Sequence, residues 1–167
     1  MTNAAETRTT QVFRVYIKAT PEAVWEAITD PEWNAKYGYP GVCEYELRPG
    51  GAFRAVMPAE MVQAMGVPEV GCDGEVIECD PPRRLVQSWR FAFSPEQIAE
   101  GFREVTWEIE PEHGGVSRLT VTHDVTDAPL TASMIEGSEK LGEGGGGWNW
   151  ILSGLKTLLE TGGTLAS

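Results

Sequence analysis

The sequence predicts an α+β domain in which an antiparallel sheet is covered on one face by a long C-terminal helix. Three observations carry this. Two neighbouring segments, "REVTWEIEP" and "VSRLTVTHDV", alternate apolar and polar residues from Glu104 to Glu110 and from Arg118 to Thr122, the pattern of strands with one wet and one covered face. The last apolar segment instead spaces Trp148, Ile151, Leu152, Leu155, Leu158 and Leu159 at helical intervals. Apart from one insertion between strands, the other helical signals sit near the start of the chain, which segregates helices from strands rather than alternating them.

Taken in chain order, "QVFRVYIK" from Gln11 places Phe13, Val15 and Ile17 on one face of a first strand. Thr20 and Pro21 follow as N-cap and first helical residue, and Val24, Trp25 and Ile28 give that helix an apolar stripe. Asp30-Pro31 repeats the cap signal and predicts a second short helix. A hairpin is expected around Pro49-Gly50-Gly51, and another around Asp80-Pro81-Pro82, where proline cannot supply a ladder donor. Between them, "MPAEMVQAMGVPEVG" reads as a helical insertion. The clearest hairpin turns at His113-Gly114-Gly115. It sets Val105, Trp107 and Ile109 on one face of its first strand, and Leu119, Val121, His123 and Val125 on one face of its second. Gly162-Gly163 should stop the last helix. The glycines before it, 144–147, permit close backbone approach beside the bulk of Trp148 and Trp150.

The 167 residues fit one domain, 1–167, with 1–10 as a flexible tail. Hydrophobic residues make up 41%, and the net charge is -12. Such a field repels phosphate backbones and anionic lipid surfaces, so neither nucleic acid nor membrane is an expected partner. No apolar run approaches a membrane span, and the N-terminus lacks a secretory apolar region. Cys43, Cys72 and Cys79 form no CxxC pair and are expected as free thiols in a reducing cytoplasm.

Catalytic signatures are missing. "GEGGGG" at 142–147 fits GxGxxG in form but follows no strand, and no GK[ST] follows a glycine-rich loop. There is no GxSxG elbow and no HExxH. Asp73 and Glu75 near a strand start are the nearest approach to an acid/base pair. With two histidines, His113 and His123, no metal centre or cofactor is expected, and no catalytic residue is assigned.

The segments "VYIKATPEAVWEAITDPEW", "DGEVIECDPPRRLVQSWRF", "VTWEIEP…GGVSRLTVTHDV" and "GWNWILSGLKTLLETG" together resemble the START-like (SRPBCC) superfamily. The branch they look most like is named after the activator of the ninety-kilodalton heat-shock protein ATPase. The resemblance runs from Val12 to Gly162. It implies a helix-grip fold, a curved sheet wrapped around the C-terminal helix with a hydrophobic cavity between them. It also implies a ligand of the lipid, polyketide or hormone kind, with cyclases and aromatases among the relatives. The eukaryotic co-chaperone carries a separate N-terminal domain that grips its client. With ten residues before Gln11, that half is expected to be absent.

The function expected is binding of a small apolar or aromatic molecule in that cavity. A cyclase- or hydrolase-type enzyme and a chaperone-linked interaction module are the alternatives, and a homodimer is left open. The residues expected at the ligand are Trp33, Tyr37, Phe53, Met61, Trp89, Trp107, His123, Trp148 and Leu152. The tryptophans supply aromatic walls. Met57, Met61 and Met65, four apart, supply a soft stripe that equally well packs the inserted helix on the core. His123 is the inward-facing histidine that could orient a ligand's polar group.

Overall fold

A computed structural model describes residues 8–140 and 145–165. The first strand, β1 (Thr10–Ile17), leads into α1 (Pro21–Thr29) and α2 (Pro31–Asn34). Thr20 Oγ1 accepts from the Ala23 N–H, and the Asp30 carboxylate accepts from the Glu32 N–H, so both caps form as their residue types dictate. Next come β2 (Val42–Tyr45), β3 (Ala52–Val56), α3 (Ala59–Met65), β4 (Val70–Asp80) and β5 (Arg84–Phe91). The chain closes with α4 (Pro95–Glu100), β6 (Arg103–Pro111), a 3-10 turn at His113–Gly115, β7 (Ser117–Asp124), α5 (Pro129–Ile135) and α6 (Gly147–Thr161).

All seven strands join one antiparallel sheet in the order β1-β7-β6-β5-β4-β3-β2. Its inner face packs on α6, and the architecture is the helix-grip α+β fold. Val105, Trp107, Ile109, Leu119, Val121, His123 and Val125 are all buried, so the alternation of β6 and β7 places each face as the sequence predicts. Gly162 ends α6 in the left-handed conformation, its N–H bonded to the Leu158 carbonyl.

Two points differ from the sequence reading. Residues 8–10 do not form part of a tail: Thr10 pairs with Asp124, the Thr9 N–H donates to Thr126 Oγ1, and Arg8 forms an ion pair with Asp124 at 2.8 Å. Helices α4 and α5 were not anticipated. Each is a short helix in a connection, and α4 carries the same signal as α1, a capping Ser94 followed by Pro95. Residues 1–7 of the expected tail, and 142–144 of the glycine-rich stretch, lie outside the described residues.

Candidate functional site

Register builds the first wall. Cys43, Ala55, Cys72 and Phe91 pair in succession across β2, β3, β4 and β5, so their side chains stand in one row on the same face. Trp89 and Trp107, from β5 and β6, continue this surface. Gly74 lies two residues along from Cys72, and a Cβ there would sit 1.9 Å from the Ser88 carbonyl oxygen. Only glycine lets β4 and β5 approach at this point.

The second wall comes from α6 and the loop between α2 and β2. The Gly147 N–H donates to Tyr39 Oη at 2.8 Å, and Trp150 Nε1 donates to the Gly38 carbonyl at 3.4 Å. Tyr37 donates its hydroxyl to the Ala27 carbonyl. These bonds fix the loop against α6 and α1. Gly147 has φ +60°, and a Cβ on it would meet the Ile135 carbonyl oxygen at 2.2 Å. The described glycines therefore serve close packing of the α5–α6 connection, which brings Trp148 to the first turn of α6.

Between the walls lies a cavity of about 700 Å³, within the range of small-molecule sites. Trp148 projects into its base. Its ring meets Trp107 edge-to-face at 5.0 Å and Trp89 at 5.4 Å. Met61 and Met65 of α3, with Met57 just before the helix, line one side, and Met134 of α5 lines another. Helix α3 has no buried residue, and Met65 is 68% exposed, so this stripe lies at the rim and not in the core.

Polar groups on the lining are uncharged. No Asp, Glu, Lys, Arg or His is among the described lining residues. Burial pushes the Cys43 thiol up to about 12 and the Cys72 thiol well above its usual value. The Trp89 N–H faces Cys72 and partly offsets that rise, without reaching hydrogen-bond geometry. Burial likewise raises the Tyr37 and Tyr45 phenols. Cys43, Cys72 and Cys79 are all free. Among the described residues, no group of three His, Cys, Asp or Glu could hold a metal ion. No helix among them is long and apolar enough to cross a membrane.

Behind the aromatic base lies a buried polar layer. Gln87 Oε1 accepts from Trp107 Nε1 at 2.9 Å and from the Tyr45 hydroxyl at 3.1 Å. Trp148 Nε1 donates to His123 Nδ1 at 3.0 Å. Both Gln87 and His123 flank Val105 in one cross-strand row. Desolvation lowers the His123 pKa to about 4, against a smaller opposing effect of Asp124. Its ring is therefore neutral near pH 7, with the proton on Nε2.

Of the nine residues predicted at the ligand, Tyr37, Met61, Trp89, Trp107 and Trp148 line the cavity. The other four do not. His123 faces inward but stands behind Trp148. Phe53 is stacked between Tyr45 and Trp89. Leu152 is buried in the core under α6, and Trp33 packs against the core with Lys36 over its ring. Asp73 is paired with Arg90 outside the cavity, so it forms no acid/base pair with Glu75 there. Sequence reasoning missed Cys43, Tyr45 and Cys72, which only the strand register assembles, and Tyr39 and Met134, which come from connections.

An antiparallel sheet gripping a C-terminal helix around an apolar cavity defines a START-like domain. The sequence profile described as "Activator of Hsp90 ATPase homolog 1-like protein" matches residues 18–160, and the chain belongs to that family. No curated protein matches it in sequence. Solved structures with the same fold include NE0264 from Nitrosomonas europaea, with a TM-score of 0.66 and 22% identity over 92% of this chain and 95% of that one. CalU16 from Micromonospora echinospora gives 0.63 and 22%, over 93% and 78%. DynU16, a protein of the dynemicin biosynthetic locus, gives 0.60 and 23%, over 93% of this chain and 48% of its own.

Proposed function

We propose that the chain binds a small apolar or aromatic molecule in the cavity between the sheet and α6. The observation that carries this is the cavity itself: about 700 Å³ of space walled by three indoles. A core that needed only to be filled would close such a space, because interiors pack to near-crystalline density. The setting of DynU16 in a biosynthetic locus favours a small molecule over a macromolecular client. The free thiols suit a reducing cytoplasm.

Titration with phenylnaphthylamine, a neutral dye that brightens in apolar surroundings, tests the proposal. Saturable binding with quenching of tryptophan emission, weakened by Trp148→Ala, is the expected result. Dye uptake only after denaturation would end it. Native mass spectrometry of freshly purified protein would then show whether a small molecule is retained.

A further inference from the structure

We infer that the cavity selects uncharged planar aromatic molecules over their anionic counterparts and over alkyl chains. The inference rests on the proposed binding function and names the class of ligand. Two independent features of the lining lead to it.

The first is the absence of a partner for charge. No ionisable acid or base of the usual charged kinds is among the described lining residues. Four lining groups, Cys43, Cys72, Tyr37 and Tyr45, are held neutral by the same desolvation that a ligand would meet. His123, the nearest inward base, is buried behind Trp148 and commits Nδ1 to that indole. A carboxylate or sulfonate entering the cavity would lose its hydration and gain no counter-charge. The net charge of -12 repels anions further.

The second feature is the kind of apolar surface. Trp89, Trp107 and Trp148 meet edge-to-face at the base, and Met57, Met61 and Met65 line one side. Every methionine of the chain except Met1 lies on this lining. Indole faces and polarisable thioethers gain from contact with another π-system beyond what area alone gives. An alkyl chain of equal size gains only the area.

Paired probes test both parts. Phenylnaphthylamine and anilinonaphthalene sulfonate share one skeleton, and the second adds an anionic group. The neutral dye should bind at least about 100-fold more tightly, as expected for an unpaired buried charge. Phenanthrene should displace the bound dye at a concentration about tenfold lower than methyl dodecanoate, a neutral alkyl ester of similar carbon count. Equal affinity for the two dyes would overturn the selection against charge and leave the binding function standing. Equal displacement would overturn the aromatic preference alone. Failure of both dyes to bind would remove the binding function, and this inference with it.

Discussion

The indole N–H of Trp148 donates to Nδ1 of His123 at 3.0 Å, and both side chains are buried. This bond joins the first turn of α6 to the inner face of β7 and fixes which way the cavity's central ring points. It makes His123 a positioning residue for the Trp148 ring, which lines the cavity.

Breaking that bond from either end leaves one buried polar atom unpaired. His123→Leu and Trp148→Phe should each cost about 1–3 kcal/mol. The double variant should cost less than their sum, because neither orphan remains. Urea denaturation of the four proteins measures the coupling. Additive losses would mean that the bond contributes nothing specific.

Stability should depend on pH through the same histidine. Folded His123 titrates at about 4, against 6.5 for the free side chain. Between these values the unfolded chain takes up a proton that the folded chain refuses, so stability falls as pH drops from about 6.5 to 4. The span corresponds to roughly 3 kcal/mol. His123→Gln should flatten this segment of the stability curve; an unchanged slope would assign the loss to other groups.

The outline of the fold was legible because local chemistry and global structure agree. Thr20-Pro21 caps α1, alternation sets the faces of β6 and β7, and helical spacing marks α6. Alternation, however, reports face and not depth. Phe53, Leu152 and His123 are buried inward residues like Trp89 and Trp148, yet only the last two also line the cavity. What separates them is where α6 and the loop before β2 stand off from the sheet, a tertiary distance with no local signal. The row from Cys43 to Phe91 was equally hidden, since it depends on register across four strands. The Ser94-Pro95 cap of α4, by contrast, is a local signal of the same kind as Thr20-Pro21.

Two glycines of α6 should respond differently to alanine. Gly147 and Gly162 have φ +60° and +76°. At Gly162 nothing lies within 4 Å of an added Cβ, so Gly162→Ala should cost about 1 kcal/mol, from backbone strain alone. At Gly147 the methyl would strike the Ile135 carbonyl oxygen at 2.2 Å. Gly147→Ala must displace the α5–α6 connection and should cost more than about 3 kcal/mol. Similar melting temperatures for the two variants would show that this connection yields freely.

The methionines of α3 separate a ligand wall from ordinary core. Met65 is 68% exposed and α3 buries no residue, whereas Leu155 on α6 is completely buried. Removing side-chain volume at these two places should therefore have opposite signatures. Met65→Ala should change unfolding free energy by less than about 0.5 kcal/mol, as exposed substitutions do. It should also weaken phenylnaphthylamine binding about threefold to tenfold, because contact with the bound ring is lost. Leu155→Ala should cost about 2–5 kcal/mol of stability through the cavity it leaves. Met61→Ala, nearer the base of α3, should resemble Met65→Ala with a larger loss of affinity. If instead Met65→Ala destabilises the fold and leaves dye affinity untouched, then α3 is held on the domain by its methionines and takes no part in enclosing a ligand.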